Sequence, residues 1–169
     1  PLSDKLADRY RDAQRHLVRW DLSTDLDNRG AALGTCIIGG EWLAEQAGDP
    51  PPDPFSELKR CTDVLLKATG RIDPLWSDVN RHVRGEMNLP VAGGPDTLRA
   101  IYGLGLEEDG FLTNVAGDGL YYLVEWDSQG RQSVMGTHQY GSATLDSSSP
   151  YHSDQTQDYV DEKLHDPLF

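Results

Sequence analysis

The sequence predicts an α+β protein, with helices in the first 70 residues and antiparallel strands near 111–140. Three observations carry this reading. Apolar residues recur at three- and four-residue steps early in the chain. Glycine and proline punctuate a middle stretch. Runs of aromatic and β-branched residues appear only after residue 110. At 169 residues the chain can bury a core, and the expected order within one segment, 1–169, is 1–70 helical, 71–110 irregular, 111–140 strands and 141–169 tail.

In the helical part, Ser3 is placed to cap a helix whose apolar positions are Leu6, Tyr10, Ala13, Leu17 and Trp20. A polar turn, Asp21 to Asp27, leads to a second helix from Arg29 to Gln46. Its glycines, Gly30, Gly34 and Gly39-Gly40, are weak helix formers that allow another backbone to approach. Gly48-Asp-Pro-Pro-Pro-Asp-Pro54 is a stiff break, followed by a third helix from Phe55 to Ala68 with Gly70 as its C-cap. Between Pro74 and Gly110 only one helical turn, Trp76 to His82, is expected. Three strands follow, at Phe111–Ala116, Leu120–Asp127 and Gln132–Tyr140, joined by turns at Gly117-Asp-Gly119 and Asp127-Ser-Gln-Gly130. A last helix is expected near Asp158–Leu164. Three antiparallel strands with helices on one side leave a face uncovered, which favours a segment of a larger α+β sandwich over a self-contained unit.

The net charge of −13 argues against nucleic acid as a partner, because Arg81, His82 and Arg84 form the only concentrated positive charge. No apolar run approaches the ~18 residues of a membrane span, so no membrane partner is expected. Cys36 and Cys61 are compatible with one disulfide or with two unrelated buried thiols; neither has ligand spacing for a metal. The chain opens on Pro1 without an initiator Met or signal peptide, and reads as a piece of a longer precursor.

The strand Leu120-Tyr-Tyr-Leu-Val-Glu-Trp126 holds the leading candidate for chemistry. Glu125 shares a face with Tyr121 and Leu123, while Leu120, Tyr122, Val124 and Trp126 share the other. A carboxylate beside large apolar neighbours is either solvated at an edge or buried with a partner, since burying it alone is costly. Other signals read as structural. His82, His138 and His152 have no local companion in a nucleophile or metal spacing. Ser147-Ser-Ser-Pro-Tyr-His152 lacks an adjacent base and reads as a turn-rich loop. Gly103-Leu-Gly105 and Ala92-Gly-Gly94 lack the strand-to-helix context of a dinucleotide fingerprint. Asp25-Leu-Asp27-Asn28 matches a calcium loop for three residues only and reads as a solvated turn. No cofactor is expected.

Several stretches, in order, resemble the penicillin amidase family of N-terminal nucleophile hydrolases, in the branch that cleaves acyl-homoserine lactones, lipopeptides and cephalosporin side chains. They are Trp20-Asp21 with Asp27-Asn-Arg29-Gly-Ala; Gly70-Arg-Ile-Asp-Pro-Leu-Trp76; Val79-Asn-Arg81 with Arg84-Gly85; and Leu89-Pro90. Gly93-Gly-Pro-Asp96 with Leu98-Arg99, Val124-Glu125 and Ser149-Pro-Tyr-His-Ser-Asp-Gln155 complete the set. Their order is that of the last part of the family's large β chain.

The resemblance implies part of an αββα sandwich, made from a zymogen that cuts itself autoproteolytically. It implies an amide hydrolase (acylase) whose nucleophile is an N-terminal serine, with its own α-amino group as base. In this chain that serine, and the assisting histidine and asparagine, would lie on companion chains of the same precursor, so the chain alone is expected to be inactive. Glu125 would be the carried-over catalytic position, orienting the histidine on a companion chain as the aspartate of a serine-protease triad does. The chain departs from the family at Tyr140-Gly-Ser-Ala143, where Tyr-Gly-Gln-Ser is frequent. Its length resembles that of the family's small α chain although its sequence reads as the end of β, which implies an extra cut before Pro1. The family's export, with the cysteine pair, implies a periplasmic or secreted location. The alternative is a non-catalytic, acidic accessory or protein-interaction domain.

Overall fold

The computed structural model describes residues 2–143 and 145–166, with side chains from residue 8 onward. It is a mixed α+β structure, helices first. Helices α1 (Leu2–Val18), α2 (Ala31–Ala47) and α3 (Pro54–Thr69) precede the short α4 (Trp76–Val79), β1 (Asn80–Arg84), β2 (Met87–Pro90) and β3 (Ile101–Leu104). Then come α5 (Leu106–Asp109), β4 (Leu112–Gly117), β5 (Leu120–Trp126), β6 (Gln132–His138) and α6 (Thr156–Val160).

The helical expectation holds with three refinements. Ser3 lies inside α1, which already starts at Leu2, and the side chain of Leu6 is outside the described ones. The cap of α2 comes from Asn28, whose Oδ1 accepts from the N–H groups of Gly30 and Ala31 at 2.8 and 2.9 Å. The glycines admit side chains or open space rather than backbone: Trp20 lies across Gly30, just before α2, and Gly34, Glu57 lies against Gly40, and nothing approaches Gly39. α3 is capped by the Asp53 carboxylate on Ser56 N–H, and ends at Gly70 in the left-handed conformation. Ala13, Leu33, Leu58, Cys61, Leu65, Trp76 and Val79 form the core between the helices and the sheet. A disulfide joins Cys36 of α2 to Cys61 of α3, their Cα atoms 5.9 Å apart.

The middle of the chain departs from expectation. The predicted turn from Trp76 to His82 stops at Val79, and Asn80–Arg84 is instead a strand. Buried Trp76 donates from Nε1 to the Gly93 carbonyl at 2.9 Å, and Asn80 Nδ2 donates to the Val91 carbonyl at 2.8 Å. These bonds hold the start of the Gly/Pro-rich connection between β2 and β3 against α4 and β1. The four-stranded sheet has the order β2-β1-β4-β3, antiparallel except for the parallel pair β1–β4.

The expected three-stranded meander does not form. β4 belongs to the four-stranded sheet, whereas β5 and β6 make a separate hairpin around the turn at 127–130. The reason lies at Gly117-Asp-Gly119. Asp118 N–H donates to the Ala100 carbonyl at 2.8 Å, and its carboxylate accepts from Ala100 N–H at 2.8 Å, pinning the turn to β3's approach. Gly117 has φ +136°, and a Cβ there would stand 2.1 Å from the Ala100 oxygen, so the turn requires glycine. α6 ends at Val160, short of the expected Leu164.

The close approach at Gly34 is directly testable. Gly34→Ala adds a better helix former by about 1 kcal/mol, yet its Cβ would sit 2.1 Å from the Trp20 ring. Overpacking of this kind costs about 1–3 kcal/mol. Chemical denaturation is expected to show a net loss of stability; a gain would mean that Trp20 relocates freely.

Candidate functional site

Glu125 sits near the tip of the β5–β6 hairpin, opposite Ser133, and its Oε2 accepts from Ser133 Oγ at 3.4 Å. The residue is exposed, which answers the sequence question: this carboxylate is solvated in the chain as described. On its face Leu123 is exposed and Tyr121 half-buried; on the other, Leu120, Tyr122, Val124 and Trp126 are all exposed. β5 therefore presents exposed large apolar side chains on both of its faces around a single carboxylate.

The second feature is one that sequence spacing conceals. His82, on β1, is 2% exposed and lies between the rings of Tyr140 and Tyr159, at centroid distances of 5.5 and 5.2 Å. Arg84 stands over the Tyr140 ring at 4.3 Å, and Arg99 over Tyr159 at 4.6 Å. Tyr121 adds a further ring beside Tyr159 at 6.1 Å. The result is a stack of two guanidiniums, two phenols and one imidazole that ties β1 to the chain beyond β6. His82 Nε2 is 3.0 Å from the Gln139 carbonyl, which also accepts from Thr156 Oγ1. Because a carbonyl only accepts, Nε2 carries the proton and the neutral ring has Nδ1 unprotonated.

The other two histidines gather at the same place. His138 meets Tyr140 edge-on and accepts from its N–H at Nδ1, while Arg84 Nη2 lies 3.3 Å from His152 Nδ1. His82 and His138, 56 positions apart, are thus neighbours through Tyr140, and Arg84 over the same ring reaches His152; the fold alone brings them together. Among the described residues, no group of histidine, cysteine or acidic side chains is arranged to hold a metal ion. Arg81 is engaged with Asn88 and the Ser77 carbonyl, so the short basic run offers no continuous cationic surface.

Burial is the leading cause that lowers the His82 pKa below its usual value, with Arg99 and Arg84 adding repulsion against the Gln139 bond that favours the charged ring. Burial likewise raises the phenols of Tyr159 and Tyr121, so both stay neutral and able to donate. Tyr159 Oη donates to the Asp118 carbonyl at 2.5 Å, linking the stack to the turn that separates β4 from β5.

The remaining sequence candidates have structural settings. Ser148 donates from its N–H and Oγ to Asp146 Oδ1, making the serine-rich loop a turn. Gly105 precedes α5 and Gly93 accepts from Trp76, so these glycines shape loops around the sheet. Asp25 accepts from Ser23 Oγ, and Asn28 Nδ2 donates to Asp21 Oδ1, within a closed inter-helix turn. No helix among the described residues is long and apolar enough to cross a membrane. Compared with models of known protein families and with curated proteins, the chain matches none.

The buried imidazole sets a pH dependence. A histidine whose folded pKa is depressed contributes fully above its unfolded value, near 6.5, and loses that contribution as pH falls below it. Thermal unfolding is expected to show stability declining from pH 7 to pH 5, with a shallower decline in His82→Phe, which keeps a ring in the stack. Equal slopes in both proteins would exclude His82 as the titrating group.

Proposed function

We propose that this chain is the C-terminal portion of an acylase of the penicillin amidase type, a C–N hydrolase that removes an acyl side chain from a small amide. The ordered set of sequence motifs supports the family, and the observation that carries the functional reading is the setting of Glu125. It is an exposed carboxylate, held by Ser133, on a hairpin whose large apolar residues face outward on both sides. Such a hairpin gains most by being covered, and Glu125 is then the group positioned to meet an imidazole from the covering chain.

In this reading the four-stranded sheet with α2 and α3 supplies one part of an αββα sandwich. Companion chains of the same precursor provide the N-terminal serine and the histidine. A carboxylate brought against the ring N–H of that histidine holds one tautomer and stabilises the imidazolium that forms in the reaction. It is a positioning residue, because it acts through the histidine and never touches substrate. The disulfide between α2 and α3 supports maturation in an oxidising, periplasmic or secreted setting.

The exposed ladder Leu120, Tyr122, Val124 and Trp126 also favours a second reading, an acidic accessory domain that binds a partner protein through this face.

Glu125→Gln in the complete enzyme separates them. The acylase reading expects kcat to fall at least about tenfold, with KM little changed, together with a shifted acid limb of the pH–rate profile. Unchanged turnover and pH profile would remove Glu125 from the mechanism.

A further inference from the structure

β5 has an open edge. Its register with β6 runs without a shift from Leu120↔His138 to Trp126↔Gln132. Two bonds bracket this ladder, Gln139 N–H to the Gly119 carbonyl at 2.9 Å and Asp127 N–H to the Arg131 carbonyl at 3.0 Å. They place the hydrogen-bonded pairs at the odd positions of β5. Leu120, Tyr122, Val124 and Trp126 therefore aim their N–H and C=O groups away from β6. Among the described residues none of these groups meets a partner. The outer edge of β6 differs, because Gly136 exchanges two bonds with His165, at 2.7 and 2.9 Å.

Natural sheet edges are commonly blunted by proline, lysine, a bulge or very short strands. β5 has seven residues, no proline, glycine or lysine, and one charge, Glu125. Leu120, Tyr122, Leu123, Val124 and Trp126 are all exposed along it. Such an edge is satisfied by another extended strand, and the pattern of β5 fits a copy of itself. When two copies run antiparallel about a two-fold axis at Leu123, the outward positions meet one another, Leu120 with Trp126 and Tyr122 with Val124. A register shifted by one residue would set outward groups against inward ones. Both pairs join an aliphatic side chain to an aromatic one, a favourable cross-strand combination. Glu125 falls opposite Tyr121 and Asp127 opposite Gly119, so no carboxylate faces another. The two Glu125 residues stand four positions apart, about 14 Å at ~3.4 Å per residue, beyond the ~8 Å screening length of physiological salt.

We propose that β5 pairs with β5 of a second copy of this chain, joining the two hairpins into one continuous antiparallel sheet. The contact uses the edge and leaves the faces of the hairpin open, so it does not depend on the acylase reading.

Sedimentation equilibrium of the intact protein tests it, with a reversible dimer of Kd about 1–100 µM expected from so small an interface. Leu123→Glu and Leu123→Lys each set like charges face to face on the axis, and each is expected to raise Kd about tenfold or more. An equimolar mixture of the two is expected to regain the dimer, because Leu123 alone pairs with itself. Val124→Pro removes an outward N–H and no bond to β6, and is expected to weaken the dimer by a similar factor. Circular dichroism verifies that each variant is folded. A monomer at every concentration up to about 200 µM would overturn the proposal. So would a dimer indifferent to Leu123→Glu and Val124→Pro, or mixed Leu123 variants that associate no better than either alone. An unrelated polypeptide found on this edge by intact mass would overturn the second copy as its occupant.

Discussion

The stack of Arg84, Tyr140, His82, Tyr159 and Arg99 is the interaction on which the second half of the structure depends. The helical core stands on ordinary apolar burial plus one disulfide, but β1, the loop before β3 and the chain beyond β6 have little aliphatic surface in common. Val91, Ile101, Tyr159 and Val160 form only a small buried group there. Aromatic and cation–π contacts, each worth about 0.5–2 kcal/mol, take the place of a larger core. They favour a neutral imidazole at the centre, because burial and repulsion from Arg99 and Arg84 both oppose a charged ring. The same Tyr159 donates to the Asp118 carbonyl, so the stack also fixes the turn from which the β5–β6 hairpin departs.

That dependence explains how the hairpin is held. β6 makes two further backbone bonds, between Gly136 and His165, and β5 rests on the stack through Tyr121. Beyond these anchors β5 carries exposed large apolar side chains on both of its faces. A surface of this kind is expensive in water and characteristic of one that another polypeptide covers. Glu125 lies within it, so in the proposed assembly a covering polypeptide would decide what this carboxylate does. The account of function thus rests on one physical point, a solvated acid inside an apolar surface, together with the ordered motifs that suggest what lies opposite.

Much of the helical half was legible in the sequence. Ala13 and Leu17 fall at helical spacing in α1, although Trp20 lies beyond its end, and Gly70 closes α3 as the expected C-cap; the Asp53 cap was hidden in the proline-rich break. The strands β1 to β3 were not legible, being four or five residues long and set among glycines and prolines. Asn80-Arg-His-Val-Arg84 reads as the end of a helix, and only its pairing with residues 87–90 and with β4 makes it a strand. The break between β4 and β5 was equally hidden, since it depends on Asp118 meeting Ala100, 18 residues earlier. At the site, the exposed setting of Glu125 followed from its place in the strand as one of two open alternatives. The meeting of His82 and His138 at Tyr140, with His152 reached through Arg84, had no sequence signal, because no local spacing encodes contacts made across two sheets and a loop.

The central claim is that this chain works as one piece of a processed amide hydrolase. Its most direct test is intact mass and N-terminal sequencing of every polypeptide that co-purifies with it from its native source. The account predicts a companion chain beginning with serine, in stable stoichiometric association. A solitary folded monomer, with no such companion, would contradict it.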